Sequence, residues 1–379
     1  MDAGLDEGQA LLIGGARDFA RSELLERDRR WDQTEETVIE VLPQLAEMGF
    51  LNMCIPQDLE GLGCSYETYV RILHEIAYAS PSTAVTLSVH NMVGNILASW
   101  AEEPKRSEWL TPWGTPEAFA AFAVSEAGAG SDLASSRTRA VRVDGGWKIN
   151  GEKMWISNGL SGVWLLTMAR TAPPSDGKVF TAMMVRRDAA GVECQPMHGK
   201  MGIRGSETAV ISYDDVFCPD DHVVGPEGKA MQVFLSGLDG GRLGIAAQAT
   251  GIAEACLDEM LSFARERKQF GQLIGRFTAI QTMIADSAVE LAAAKELLFH
   301  AARRIDAGKV DPAASSKAKL FATEAANRIA DRAVQVHGGS GYVHEYRVEQ
   351  LYRDARVTTI YEGTSEVQRM VIARSLLSG

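Results

Sequence analysis

The spacing of apolar residues changes twice along this chain, and those two changes constrain its fold more than any other feature. Up to about residue 115 apolar residues recur every three or four positions. Val38, Val41, Leu42, Leu45 and Met48 form one such run, closed by Gly49, and the same spacing predicts helices from Tyr66 to about Tyr78 and from Ser82 to about Trp100. Pro104 and Pro112 then break the pattern. From Ala118 the runs become short and alternating. Ala140 to Val143 and Trp147 to Asn150 flank Asp144-Gly145-Gly146, a hairpin signature, and apolar runs follow at 163–168, 179–185, 192–197 and 208–213, ending near Cys218-Pro219. After Gly228 the helical period returns in three stripes, Ile245 to Ala264, Ile280 to Ile305 and Ala314 to Ile329, with a last helix from Ser365. The expected fold is α+β. An α-helical N-terminal domain (1–117) and a middle antiparallel β-barrel or sandwich domain (118–224) precede a C-terminal up-and-down four-helix bundle (225–379).

Composition narrows the function classes. At 379 residues the chain exceeds what one hydrophobic core organises. Its net charge of -12 argues against general nucleic-acid binding, which needs clustered Lys and Arg. Cys54, Cys64, Cys194, Cys218 and Cys256 are odd in number and scattered, so the expectation is small buried thiols in a reducing compartment, with no disulfide framework or zinc site. The apolar runs fall short of the roughly 20 residues of a membrane span, and the charged N-terminus is unlike a signal peptide. The reading is a cytoplasmic enzyme.

Several chemistries lack their motifs. Gly-x-Gly-x-x-Gly, the P-loop, His-Glu-x-x-His, Glu-x-x-His and Gly-x-Ser-x-Gly are all missing. No metal site is expected. Two Gly-rich turns remain, Glu126 to Asp132 and Gln335 to Tyr342. Their backbone could approach a phosphate or an aromatic ring system, or the glycines could simply end a helix or strand. A third feature is Tyr361-Glu362-Gly363-Thr364, which sets a carboxylate just before a helix start. Ser365 and Gln368 match a capping box there, with Thr364 as a second candidate cap. The helix dipole would favour an ionised Glu362 and an apolar pocket a protonated one, as suits a base working near neutral pH. Equally, Glu362 could be an ordinary acid stabilising a helix N-terminus.

Six stretches together resemble one family. They are Phe122 to Asp132, Trp155 to Gly159, Leu238-Asp239-Gly240-Gly241-Arg242, Arg265 to Gly271, Gln335 to Tyr342, and Tyr361 to Glu366. In that order they resemble the acyl-CoA dehydrogenases, most closely the short-chain and branched-chain members, over nearly the whole length. The resemblance implies an FAD enzyme of fatty-acid β-oxidation or branched-chain amino-acid degradation. It would convert an acyl-CoA to the trans-2-enoyl-CoA, pass electrons to an electron-transfer flavoprotein, and assemble as a homotetramer; the alternatives are an acyl-CoA oxidase or other flavoprotein of the same fold, or a binding or scaffold protein that does not dehydrogenate. It further implies Glu362 as the catalytic base. Phe122, Val124, Ser125, Gly130 and Ser131, with Trp155, Ile156 and Ser157, would line the flavin ring. Gln335, Val336, His337, Gly338, Gly339, Thr364 and Glu366 would hold the rest of FAD, joined by Arg267 and Phe270. Ser131, Asp239, Gly240, Gly241, Arg242, Tyr361 and Gly363 would contact substrate.

The chain also departs from the family pattern. The usual Thr-Glu-Pro is Ser125-Glu126-Ala127, which removes a rigid φ. Thr278 stands where a Gln touches the partner subunit's cofactor, and Ala84 where glutaryl-specific members carry an arginine. Some relatives place the base on the helix that here carries Gly241, which concentrates the role on Glu362.

Overall fold

The computed structural model describes residues 5–172 and 179–378; residues 1–4 and 379, at the ends of the first and last expected domains, lie outside it. Helix α1 (Glu7–Phe19) starts at a capping box in which Asp6 accepts from Gln9 N at 2.8 Å and the Gln9 side chain accepts from Asp6 N at 3.0 Å. A π-helical turn joins it to α2 (Leu25–Thr34). The run over Val38 to Met48 is a 3-10 turn followed by α3 (Leu42–Glu47), and Gly49 ends it at φ +73°. Next come α4 (Tyr66–Ala79), α5 (Pro81–Trp100) and α6 (Lys105–Leu110). Apart from Asn95 and three residues at its C-terminal end, every residue of α5 is buried.

The middle region forms β1 (Ala120–Ala123), β2 (Arg139–Val143), β3 (Gly146–Ser157), β4 (Trp164–Arg170), β5 (Phe180–Arg186), β6 (Val192–Pro196), β7 (Thr208–Pro219) and β8 (Val223–Val224). They make one eight-stranded sheet ordered β6-β7-β3-β2-β4-β5-β8, with β1 added against β4. The sheet is mixed instead of purely antiparallel, because β1 runs parallel to β4 from Ala120↔Trp164 to Ala123↔Thr167. All four β1 residues are buried, so the strand lacks the alternation that marks a half-exposed strand in sequence. A bulge between Lys153 and Ile156 in the β3–β7 pairing turns Trp155 outward at φ +64°.

The C-terminal part is α7 (Ala230–Glu266), a small hairpin of β9 (Lys268–Gln269) and β10 (Gln272–Leu273), then α8 (Thr278–Asp306), α9 (Pro312–His337), α10 (Val348–Val357) and α11 (Ser365–Leu377). At 37 residues α7 is about 55 Å long, enough to pack against α4, α5, α8 and α9 along one axis. One apolar core fills the helices. A second, with Val89, Met92, Ile96, Phe122, Val124, Phe234 and Ile245, lies in the seam where α5, β1 and α7 meet, and Tyr361 packs on it. Among the described residues no helix is long and apolar enough to cross a membrane, and all five cysteines are free thiols.

Candidate active site

The turn bearing Glu362 is built from the chain on both sides of it. The segment before it is helix α10, whose last turn is tied to α9 by Asn327 Nδ2 donating to Ala355 O at 2.9 Å. The helix after it is capped by Thr364, whose hydroxyl accepts from Val367 N at 3.3 Å. The expected Ser365–Gln368 box does not form. Ser365 is already the first residue of α11, and Gln368, fully buried, turns back to donate from Nε2 to Glu362 O at 3.1 Å and Gly363 O at 2.9 Å. Gly363 O also accepts from Lys319 Nζ at 2.8 Å. Between these anchors Glu362 and Gly363 both take positive φ, +51° and +88°, a conformation that non-glycine residues rarely adopt.

The conformation sends the Glu362 side chain onto α7. Its Oε2 is buried and has no hydrogen-bond partner among the described residues. A Cβ placed on Gly241 would stand 2.6 Å from that oxygen and 2.8 Å from Met92 Sδ, so glycine leaves the carboxylate its place. Burial raises the Glu362 proton affinity above the usual carboxylate range, while Arg242 and Lys319 oppose the rise. Arg242 is itself buried and paired with Asp239 at 2.9 Å; burial also raises the Asp239 pKa. Lys319 is fully buried, and desolvation lowers its ammonium pKa to about 8, with Glu362 the largest opposing influence. The Tyr361 hydroxyl donates to Gln248 Oε1 of α7, which orients its ring.

The other predicted residues separate into groups. Phe122 and Val124 are nearly buried on the seam, with the Phe122 ring centroid 4.8 Å from that of Phe234. Ser125, Gly130 and Ser131 sit on the loop that follows. That loop is closed without proline: Glu126 and Ala129 exchange backbone hydrogen bonds, and the Glu126 carboxylate accepts from Arg137 N, Thr138 N and the buried Lys153 Nζ. Trp155 is 60% exposed, Ser157 half-buried, and Ile156 buried beneath the sheet. At the end of α9, Gln335 is exposed. Val336 and His337 are buried, the His337 ring stacking on Phe263 at 4.2 Å. Arg267 and Phe270 lie on the exposed β9–β10 hairpin, with Phe270 93% exposed. Glu366 is exposed at the start of α11. The structure thus gathers Glu362, Tyr361 and Gly363 with Asp239 to Arg242, and sets the hairpin residues apart on the surface. Lys319, Gln368, Met92 and Gln248 were missed by sequence reasoning. The available signal was a lysine beside the apolar stripe of α9.

A Cβ on Gly128, Gly130, Gly338 or Gly339 would meet nothing within 4 Å, so at these turns the backbone is open to an approaching ligand. The domain models of acyl-CoA dehydrogenase match this chain in order, the N-terminal domain at residues 6–117, the middle domain at 121–216 and the C-terminal domain at 228–377. The caffeyl-CoA reductase-Etf complex subunit CarC of Acetobacterium woodii is 40% identical, covering 96% of each chain. The mitochondrial short-chain specific acyl-CoA dehydrogenase of Homo sapiens is 37% identical over 98% of this chain and 91% of that protein. The structure of butyryl-CoA dehydrogenase from Megasphaera elsdenii superposes with a TM-score of 0.96 at 32% identity, covering both chains fully. Matched in all three parts and at 40% identity over almost its whole length, this chain belongs to the acyl-CoA dehydrogenase family and is an oxidoreductase acting on acyl-CoA.

Proposed function

We propose that this protein is an FAD-dependent dehydrogenase of short-chain acyl-CoA thioesters, forming the trans-2-enoyl-CoA with Glu362 as the base. The observation that carries the reading is the buried, unpartnered Glu362 Oε2, aimed along a glycine face of α7. A carboxylate kept from other partners is available to take a proton, and its raised proton affinity brings it toward the weakly acidic α carbon of a thioester. The Glu362 N–H is the proposed donor to the thioester oxygen, where negative charge develops as the proton leaves.

The residues present fit FAD. Four open glycines at two turns leave room for phosphate or ring atoms against the backbone, and Trp155 offers an exposed aromatic face beside Ser157. When bound, FAD supplies the two-electron acceptor that takes the β hydrogen as hydride. Phe122, Val124, Ser125, Gly130, Ser131 and Trp155 to Ser157 would hold its ring system, and Gln335 to Gly339, Thr364 and Glu366 the remainder. Arg267 and Phe270, exposed on their hairpin, suit a role toward a second subunit's cofactor in a homotetramer. Tyr361 and the seam apolar residues keep water from the carboxylate.

Short-chain substrates are favoured by what stands behind Glu362. Along α7, added Cβ atoms would meet Ile96 at Gly237, Tyr66 at Gly240, Met92 at Gly241 and Ser88 at Gly244, at 3.3 Å or closer. Side chains of α4 and α5 therefore already occupy that face. The butyryl-CoA dehydrogenase likeness agrees with this, and the Etf-complex relative supports an electron-transfer flavoprotein as acceptor. Glu362→Gln is expected to keep bound FAD and to lose at least about 1,000-fold in the rate of anaerobic flavin bleaching by butyryl-CoA. Bleaching at the wild-type rate would overturn the assignment of the base.

A further inference from the structure

The turn carrying Glu362 has two features that its own residues do not explain. Consecutive residues at positive φ put the Glu362 and Gly363 carbonyls side by side, facing the protein interior, and a Glu in that conformation is not the one its backbone prefers. Buried carbonyls need donors. Here both are met by side chains with no accessible surface: Gln368 Nε2 reaches both carbonyls, and Lys319 Nζ the second. The donors come from different helices, α11 and α9, so the turn is gripped from two directions.

The two grips are not equivalent, because Gln368 is neutral. Lys319 places a cation beside the base's own turn, in an interior where charges are weakly screened. The charged groups that act on Glu362 are Arg242, paired with Asp239 on α7, and Lys319 on α9, with the hydroxyls of Tyr69 and Tyr361 nearby; Glu324 and Glu366 act on Lys319 from its other neighbours. Arg242, the larger of the two opposing influences on Glu362, also pairs with Asp239, whereas Lys319 adds to it from α9 while donating to an uncharged carbonyl.

We infer that Lys319 and Gln368 are positioning residues for the base. Gln368 fixes the direction of the Glu362-Gly363 turn, and Lys319 fixes it while also holding the Glu362 carboxylate in its ionised form. The inference rests on Glu362 being the base. It adds a division of labour that Glu362 variants cannot reveal.

The test compares Lys319→Met, Lys319→Arg and Gln368→Met with wild type, reading kcat and KM for butyryl-CoA across pH. Loss of the cation should move the acid limb of kcat/KM upward by about one pH unit and lower kcat about tenfold, with KM within about threefold. Lys319→Arg should restore the limb. Gln368→Met should lower kcat and leave the limb in place, since it removes geometry without charge. A readout without turnover is the thermal midpoint. A base left without its cation holds its proton to higher pH, so the Lys319→Met midpoint should fall more steeply than that of Lys319→Arg as pH rises above the ordinary carboxylate range. Should Lys319→Met fail to fold, Lys319→Gln supplies the neutral arm. An acid limb and midpoint slope unchanged in a folded neutral variant would overturn the charge role, and a wild-type kcat in Gln368→Met the geometric one. Failure of the functional reading looks different: wild type would not bleach with any acyl-CoA, or Glu362→Gln would bleach as fast as wild type.

Discussion

A methyl group at Gly241 would lie 2.6 Å from Glu362 Oε2 and 2.8 Å from Met92 Sδ, both at the ends of flexible side chains. The backbone could therefore stay where it is while the carboxylate moved. Gly241→Ala is accordingly expected to fold with a thermal midpoint within a few degrees of wild type and to lose about 100-fold in the rate of flavin reduction, the scale of effect that a displacement of about 1 Å produces. Stopped-flow bleaching beside thermal unfolding checks it. At this scale the sequence placed Glu362 just before a helix start, where the structure also has it, but not the burial of its Oε2 against α7. It was not legible for Lys319 and Gln368. A lysine or glutamine on a helix is ordinarily solvated, and only the neighbouring carbonyls, contributed from 44 residues away for Lys319, reveal why these two are buried. The cap was misplaced by one residue for a related reason: Thr364 and Ser365 both offer a hydroxyl, and what decided between them was the demand on Gln368 from the turn.

Among the elements, α5 and α7 are the two that meet behind Glu362. Period alone places α5 within one residue of its observed start, whereas for α7 the stripe from Ile245 misses the first fifteen residues, Ala230 to Gly244. Strand β1 was not readable, because burial on both faces erases alternation, and its parallel pairing with β4 depends on a partner more than 40 residues away. The α5–α7 contact makes its own prediction. Met92 lies against both Gly237 and Gly241, and on the proposed reading it would limit the acyl chain there. Met92→Ala should raise kcat/KM for octanoyl-CoA relative to butyryl-CoA by about tenfold, the discrimination expected of a few methylene groups in an apolar slot. Steady-state rates over a series of chain lengths measure it, and an unchanged ratio would remove Met92 from the determinants.

Across the whole molecule, α10 ties the Glu362 turn to parts of the chain distant in sequence. Arg353 forks onto Asp32 of α2, Gln350 Nε2 donates to Asp28 at 2.7 Å, and the Asp354 carboxylate accepts from Ile203 N in the segment between β6 and β7. Asp28 and Asp354 are both almost fully buried, and desolvation raises the proton affinity of each. An acid whose folded pKa exceeds its unfolded value keeps a proton that the unfolded chain gives up. The stability it contributes is present below the unfolded value and declines as pH rises through the folded one. The contribution of these two acids to the thermal midpoint is therefore expected to fall between about pH 4 and about pH 8. Asp354→Asn, which mimics the protonated acid, should flatten that decline and stabilise the protein at the upper end by on the order of 2 kcal/mol. Unfolding curves across pH for both proteins decide it.

The run of glycines on α7 carries a further consequence for how such a protein can change. Any side chain installed at Gly237, Gly241 or Gly244 would strike a side chain of an opposing helix or Glu362, so that wall can change only if what faces it changes too. New acyl preferences have to be written from the other side, one residue at a time, on the helices that face it.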